Sequence, residues 1–310
     1  MIQTGTQTRR RATVRRMGTQ ERRNLRVGLF FISPWLVGLA IFYLYPVVAS
    51  FYYSLTDYNV LQPPTFTGLS NYQQIFTDPV FWTALANTAF MVFVGIPVYT
   101  VVDIAVAILL NAKVPGQTFY RAIVFLPTLI PIVVLSILWE WILNPQTGLV
   151  NLSLRAIGIT GPGWFGSPEW AKPGFVVMTL WTTGNAVVIY LAGLQDVDPT
   201  LYEAADVDGA NWWYKIRHIT LPSLSPVILF NVILAMIASF QFFTQAFIIT
   251  NGGPLNASMF YSLYLYQNAF SYYHMGYASG LAWILLVIAL ALTVLIMRSS
   301  ARMVYYAGSQ

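Results

Sequence analysis

The sequence lacks several features on which enzyme chemistry commonly depends. It contains no cysteine in 310 residues, which excludes disulfides and thiolate metal sites. Its two histidines, His218 and His274, lie far apart and have no carboxylate at ligand spacing, which argues against a metal site. No Gly-x-x-x-x-Gly-Lys-Ser/Thr loop occurs, so we do not expect this chain to bind or hydrolyse ATP, and we predict no cofactor within it.

Charge is scarce as well. Only 9% of the residues are charged and 57% are hydrophobic, whereas soluble domains carry about 25% charge. A helix needs about 20 apolar residues to cross a bilayer, and six segments meet or approach that length. They are residues 28–52, 83–110, 121–143, 174–194, 223–249 and 277–297. The sequence therefore predicts an all-α polytopic membrane protein with six transmembrane helices.

The distribution of basic residues predicts the orientation of these spans. With the N-terminus in the cytoplasm, fourteen of the 16 Lys and Arg residues lie inside, and only Arg155 and Lys172 lie outside. We predict a disordered basic tail over residues 1–26, a transmembrane body over 27–300 and a second cytoplasmic tail over 301–310. An arginine-rich start also occurs in transit peptides and nucleic-acid-binding arms. Its position directly before an apolar run favours a cytoplasmic flank, with membrane lipid and not nucleic acid as its partner.

A patterned polar interval, residues 196–222, separates predicted spans four and five. Asp198 followed by Pro199 predicts a helix start, and Gly209 predicts its end. Residues at spacings of three and four give this short helix one small, mostly apolar face. They are Leu201, Ala204, Ala205 and Asp208. An interfacial linker helix lying on the membrane is the simpler alternative. Four spans precede the interval, which places it in the cytoplasm.

One motif in this interval is specific. Glu203-Ala204-Ala205, then Gly209, then Ile219-x-Leu221-Pro222 resembles the cytoplasmic "EAA" signature of permease subunits in binding-protein-dependent ABC importers, without an insertion. The resemblance implies that the loop is a coupling helix that docks in a groove of a separate ATPase subunit. Its implied coupling residues are Glu203, Ala204, Ala205, Asp208 and Gly209. ATP and Mg²⁺ are then expected in the ATPase partner.

Weaker passages along residues 28–300 resemble the carbohydrate-uptake branch of these permeases, which contains maltose, lactose and glycerol-phosphate permeases. They include Gly68-Leu69-Ser70-Asn71-Tyr72, Asp78-Pro79-Val80-Phe81-Trp82, Phe125-Leu126-Pro127 and Thr250-Asn251-Gly252-Gly253-Pro254. This resemblance implies a sugar importer of a prokaryotic cytoplasmic membrane that works by alternating access. Its implied partners are a second permease subunit, two ATP-binding cassette subunits and an extracellular sugar-binding protein.

Polar side chains within the spans are candidates for the substrate pathway, because sugars are recognised by amides, hydroxyls and aromatic faces. Trp181 and Asn185 lie one turn apart in predicted span four, and Gln241 and Gln245 lie one turn apart in predicted span five, near Ser239. Hydrogen bonding between helices is the structural alternative. Pro127 and Pro131 lie four residues apart in predicted span three, which predicts a bent element and a possible hinge.

Two rival functions stay open at this stage. A proton-coupled secondary transporter that acts without an ATPase would need acids near one another or at the midplane of the bilayer. Asp103 and Glu140 are predicted at opposite depths, Asp103 as a hydrogen-bonding group in the bundle and Glu140 as an interface residue. A membrane enzyme, such as a lipid-linked glycosyltransferase, would need a metal or carboxylate site at the interface, and only these scattered acids could supply one.

Overall fold

A computed structural model describes residues 18–112 and 114–300. Several features of the sequence lie outside them: Lys113, the predicted tail 301–310, and the arginines up to Arg16. The chain divides between Tyr52 and Tyr53 into two units, which are described separately.

The first unit is one long helical span. Helix α1 (Thr19–Leu39) continues through a π-helical turn, Ala40–Leu44, into α2 (Tyr45–Ser54). Its N-terminus is closed by Glu21, whose Oε2 accepts the backbone N–H of Gly18 at 2.8 Å. The predicted disordered tail is therefore corrected for residues 19–26, because capping by Glu21 lets the helix extend through the last arginines of the tail.

Within the described residues, four helical stretches are long and apolar enough to cross a membrane, and two bent helix pairs raise the number to six when each pair is one span. The four stretches are Thr19–Ser54, Pro79–Asn111, Trp212–Ile249 and Met275–Ser300. The bent pairs are Gln117–Leu129 with Ile132–Ile142, at 101°, and Pro168–Leu180 with Gly184–Gln195, at 52°. The six predicted apolar segments all coincide with these elements.

The helices of the second unit follow one another along the chain. The first set is α3 (Ser70–Thr77), α4 (Pro79–Phe90), α5 (Ile96–Asn111), α6 (Gln117–Phe125), α7 (Ile132–Ile142), α8 (Leu149–Ala156) and α9 (Pro168–Leu180). The second set is α10 (Gly184–Gln195), α11 (Pro199–Val207), α12 (Trp212–Lys215), α13 (Leu221–Phe240), α14 (Thr244–Ile249), α15 (Tyr261–Tyr266) and α16 (Met275–Ser300). A short antiparallel pair, β1 (Thr56–Asp57) and β2 (Thr65–Phe66), precedes them, with Thr56 opposite Phe66.

Three π-helical turns each end two residues before a proline. They are Ala40–Leu44 before Pro46, Met91–Gly95 before Pro97 and Ile216–Thr220 before Pro222. A proline ring clashes with the carbonyl four residues earlier, which in each case belongs to the π turn, and proline cannot donate to it. The wider turn moves that carbonyl away, so the helix continues without a sharp break.

Span three bends sharply where the sequence predicts a bent element. After α6 the chain tightens into a 3₁₀ turn, Leu126–Leu129, and α7 starts beyond Pro131 at 101° to the preceding segment. Span four passes close to this bend at Gly184, where an added Cβ would lie 2.7 Å from the carbonyl oxygen of Val124. The bend is thus confirmed, and its use as a hinge stays a prediction.

The segments between spans one and two, three and four, and five and six are folded onto the bundle. The buried Asn87 amide of α4 donates to the carbonyls of Asn256 (2.8 Å) and Met259 (3.0 Å). The next side chain, Thr88, accepts the backbone N–H of Tyr261 at 2.9 Å. The largest buried side chains of the second unit include Phe81, Phe175, Phe260 and Tyr261, so the main core lies beneath these segments.

Candidate functional site

The loop between spans four and five contains α11, and its ends are built as the sequence predicts. Asp198 is the N-cap, and its Oδ1 accepts the backbone N–H of Thr200 at 2.9 Å. That hydrogen bond, with a second from the Thr200 hydroxyl, lowers the pKa of the Asp198 carboxyl. Pro199 occupies the first helical position, where its missing N–H leaves no hydrogen bond unmade.

The C-terminal end of α11 is a Schellman motif. The N–H of Ala210 donates to the carbonyl of Ala205 at 2.9 Å, and the N–H of Gly209 donates to Asp206 at 3.1 Å. Gly209 has φ +76°, in the left-handed region that glycine adopts without strain. A Cβ placed there would meet no atom within 4 Å, so the requirement for glycine is purely conformational.

One face of α11 is tied to the start of span five. The hydroxyl of Tyr202 lies 3.0 Å from that of Thr220, and Asp206 forms an ion pair with Lys215. Tyr202 and Asp206 are four residues apart and therefore share a face of the helix. Between these contacts, α12 begins at its own cap, Asn211, whose Oδ1 accepts the N–H of Tyr214 at 2.8 Å.

The opposite face of α11 is uncovered. Glu203, Ala204 and Asp208 are exposed, and Ala205 is half-buried. Two apolar side chains extend this face, Leu201 at 48% and Val207 at 89% exposure. In the described part of the chain the Lys215–Asp206 pair is the only ion pair, so Glu203 has no basic partner there. The surface carries two acids, Glu203 and Asp208, together with the apolar Leu201 and Val207, and Ala204 contributes only a methyl group.

The candidate pathway residues are not arranged on continuous helices. Trp181 falls in the break between α9 and α10, and Asn185 is exposed in the first turn of α10, so the expected one-turn pairing on a single helix is wrong. The break arises where threonine hydroxyls turn back onto backbone carbonyls: Thr182 donates to Thr179 and Thr183 to Leu180.

A second break separates Gln241 from Gln245. Helix α13 ends at Phe240, and α14 begins at Thr244, so these glutamines also do not lie one turn apart on one helix. The carbonyl of Phe240, freed at this point, accepts the hydroxyl of Ser262. Ser239 is buried and donates to the carbonyl of Ala235 at 2.8 Å. Of the five candidates, Trp181 has a defined aromatic partner, Trp139, at 5.9 Å between ring centroids.

The two acids of the spans do not form a relay. Asp103 is 4% exposed on α5, and its carboxyl has a side-chain hydrogen bond with Thr183, as expected of a hydrogen-bonding group in the bundle. Its Oδ1 has no hydrogen-bond partner among the described residues. Glu140 is exposed on α7, as expected for an interface residue. In residues 18–112 and 114–300, no group of three or more His, Asp or Glu side chains is placed to hold a metal ion.

One group of polar residues was not predicted from the sequence. It lies at the ends of spans two and six that are opposite to α11. Asp78 caps α4, and its Oδ2 accepts the hydroxyls of Tyr264 and, at 3.0 Å, Tyr277. The sequence signal for the cap was present, because Asp78-Pro79 repeats the Asp198-Pro199 pattern. No local signal joins Asp78 to two tyrosines more than 180 positions away in sequence.

Four to six membrane-spanning helical elements, with one capped and exposed helix between spans four and five, are typical of a polytopic membrane protein. A family model described as "Binding-protein-dependent transport system inner membrane component" matches residues 103–305. The chain belongs to this family, and it is an integral membrane protein.

Relatives cover nearly the whole chain. "Probable ABC transporter permease protein YesP" of Bacillus subtilis is 36% identical over 91% of this chain and 93% of its own length. "Lactose transport system permease protein LacF" of Rhizobium radiobacter is 34% identical over 86% of this chain and 92% of its own. A crystal structure of a bacterial ABC transporter involved in alginate import matches with a TM-score of 0.79, at 24% identity, over 92% of this chain and 98% of that one. This likeness confirms the fold.

Proposed function

We propose that this chain is the permease subunit of an ATP-driven sugar importer and that α11 is its coupling helix. Family membership supports the transport role. The relative LacF, by its name a lactose permease, supports a sugar or oligosaccharide as the substrate. The carbohydrate-like passages along the sequence favour the same substrate class.

One observation carries the coupling assignment: α11 is fixed on one face and uncovered on the other. Tyr202 and Asp206 hold it against the start of span five, so a displacement of α11 is passed to that span. On the uncovered side, Glu203 lies one turn from Val207, and Leu201 lies one turn from Ala204. Exposed apolar side chains that lie together on a surface are typical of a protein interface.

The coupling residues have distinct roles in this proposal. Glu203 makes a charged contact with the ATPase groove. Ala204 and Ala205 allow that groove to approach the helix backbone closely, and Asp208 lies at the edge of the contact. Gly209 provides the left-handed turn that sets the direction of the chain into α12.

The energy comes from partner subunits. ATP and Mg²⁺ bind in two ATP-binding cassette subunits, a second permease subunit completes the pore, and an extracellular sugar-binding protein delivers the substrate. The loop between spans four and five and both termini face the cytoplasm of a prokaryotic cell, as the distribution of basic residues predicts. Closure of the ATPase dimer moves the coupling helices together and rotates the two bundles as rigid bodies, which exposes the substrate pathway outward.

The substrate pathway is proposed to run past the breaks in spans four and five. Trp181 and Asn185 border the first break, and Ser239, Gln241 and Gln245 border the second. Helix α7 joins the two regions, because α14 packs against it and its Trp139 contacts Trp181. Breaks expose backbone groups that only a neighbouring protein segment or a polar cavity can satisfy at membrane depth, which favours these regions as parts of a hydrated pathway.

A charge reversal at Glu203 tests the coupling role. The importer is reconstituted with its ATPases and binding protein, and sugar-stimulated ATP hydrolysis and uptake are measured together. Glu203→Lys is expected to lower both by about 10-fold or more, because a buried charged contact at an interface is worth about 2–5 kcal/mol.

Asp196→Lys is the matched control. Asp196 is an exposed acid of the same loop at the C-terminal end of α10, where a cation is favourable. Its activity is expected to stay near that of the unmodified chain. Equal activity of Glu203→Lys and Asp196→Lys would show that Glu203 does not couple transport to hydrolysis.

A further inference from the structure

Two neighbouring cavities lie at the end of the second unit opposite to α11. The larger has a volume of about 390 Å³ and is lined by Asp78, Tyr264 and residues of the segment between spans five and six. The smaller, of about 270 Å³, lies between that segment and the one between spans one and two. Gln74, His274 and Tyr277 line both, so the cavities share a wall made of three side chains. Ligand sites typically have volumes of about 300–1,000 Å³.

A buried hydrogen-bond network fixes one wall of this pair. Asp78 accepts the N–H of Val80 at 2.8 Å and the hydroxyls of Tyr264 and Tyr277, and those hydroxyls lie 2.9 Å apart. Burial raises the pKa of the Asp78 carboxyl, but the hydrogen bonds from Tyr264, Val80 and Tyr277 outweigh it and lower that pKa overall. The carboxylate is therefore charged at neutral pH, and three helices, α4, α15 and α16, are held by it.

The lining chemistry is that of a site for a hydroxyl-rich ligand. Tyrosines and side-chain amides line both cavities, and Gln74 and His274 are exposed on the shared wall. Neither cavity is lined by lysine or arginine, whereas Asp78 lines one and Asp57 the other. Lys172 donates to Asn87 at 2.9 Å and lies over the ring of Phe90, and it lines neither cavity.

We propose that the two cavities form one binding cleft for a neutral sugar, at the outer end of the permease, and that the cleft disfavours sugars that carry a carboxylate. This inference rests on the proposed function and names its substrate class. The exposed ring of Tyr272 stacks on the sugar, and the amides with Asp78 bind its hydroxyls. Two carboxylates without a lining cation repel an acidic sugar.

The cysteine-free sequence allows a direct test by protection from thiol labelling. Gln74→Cys places a thiol on the shared wall, and Gln73→Cys places one beside it on α3, exposed but outside both cavities. The assembled importer is held in nanodiscs without ATP, and its rate of modification by a methanethiosulfonate reagent is measured. The probes are lactose, maltose and arabinotriose, with digalacturonate as an acidic disaccharide of the same linkage as maltose.

A transported neutral probe is expected to slow labelling of the Gln74→Cys variant about tenfold when present at about ten times its dissociation constant, by mass action. It should leave the Gln73→Cys variant unaffected, and digalacturonate should protect neither. Ser70→Cys, which lines the smaller cavity from the same helix, replaces Gln74→Cys if that variant does not assemble.

The outcomes separate this inference from the proposed function. Uptake of a neutral probe by the importer without any protection of the Gln74→Cys or Ser70→Cys variant overturns the cleft and leaves the importer intact. Equal protection by digalacturonate and maltose would show that the cleft does not prefer neutral sugars over acidic ones. Failure to take up any of the four probes with ATP and binding protein present counts against the proposed function itself.

Discussion

The hydroxyl of Tyr202 on α11 lies 3.0 Å from the hydroxyl of Thr220, the last residue of the π turn that leads into span five. This contact joins the exposed helix of the loop to a membrane-spanning helix through two side chains 18 positions apart. With the ion pair between Asp206 and Lys215, it ties α11 to the start of span five. We therefore expect a force on the uncovered face of α11 to be transmitted to span five.

Removal of the Tyr202 hydroxyl should loosen α11. Tyr202→Phe removes a partly buried hydrogen bond, worth about 0.5–1.5 kcal/mol. Amide hydrogen exchange across α11 should become about fivefold faster for each 1 kcal/mol lost, and sugar uptake per ATP hydrolysed should fall. Tyr214→Phe is the control, because the Tyr214 ring stacks on His218 at 4.0 Å and the change leaves that contact in place. Identical amide hydrogen exchange in the two variants would show that the hydrogen bond between Tyr202 and Thr220 does not hold α11 in place.

The effect of a substitution at Gly209 should depend on how readily the new residue adopts the left-handed conformation. Its Cβ would meet open space, so the penalty arises from φ +76° alone and amounts to about 1–2 kcal/mol for alanine. Asparagine should be tolerated better than alanine, and valine worse. Hydrogen exchange at Gly209 and Ala210 reports the Schellman bonds directly. A Gly209→Val variant as protected as Gly209→Asn would show that the turn is not held in this conformation.

The Asp198 cap should make the start of α11 sensitive to acid. Its pKa is lowered below the usual 3.8 in the folded loop, so the stabilisation is present above that value and is lost as pH falls through the folded-state pKa. Thr200 should lose protection from hydrogen exchange below about pH 4, after correction for the intrinsic rate. Asp198→Asn keeps a capping oxygen and should remove this pH dependence, whereas Asp198→Ala should expose Thr200 at every pH. If the protection of Thr200 from hydrogen exchange still depended on pH in Asp198→Asn, the effect would arise from another titratable group.

The contact between the two bent spans should not accept a methyl group. In Gly184→Ala the new Cβ would lie 2.7 Å from the carbonyl oxygen of Val124 and from Cγ2 of Thr128, so overpacking of about 1–3 kcal/mol is expected to lower the melting temperature and uptake. Gly38→Ala in α1 meets no atom within 4 Å and should be neutral or slightly stabilising. Thr128→Ser should not rescue Gly184→Ala, because the Val124 carbonyl belongs to the main chain. Full rescue would contradict the tight backbone approach.

Local signals in the sequence predicted local structure well. Asp198-Pro199 and Gly209 define the ends of α11 through interactions within a few residues, and the structure confirms both ends. Apolar length predicted the six spans for the same reason. The bend between Pro127 and Pro131 also follows from groups that are neighbours along the chain.

Helix breaks within spans and contacts between distant residues could not be predicted from the sequence. The spacing of Trp181 and Asn185 predicts one helical turn. Helix α9 nevertheless ends at Leu180, where the hydroxyls of Thr182 and Thr183 donate to backbone carbonyls. At the break after Phe240, the freed carbonyl accepts the hydroxyl of Ser262, which lies in another segment. Asp78, Tyr264 and Tyr277 meet only through tertiary folding. Patterns within one span carry no information about such partners.

The central claim, that a separate ATPase grips α11 from the cytoplasm, is tested most directly by crosslinking at Ala204. Ala204→Cys introduces a single thiol on the exposed face of α11 in a cysteine-free chain. After attachment of a photoreactive maleimide, illumination of the assembled importer should join this chain to the ATPase subunit, and a membrane-impermeant thiol reagent should reach the thiol only in inverted vesicles. Labelling from outside intact cells, or crosslinks to lipid without the ATPase, would contradict the account.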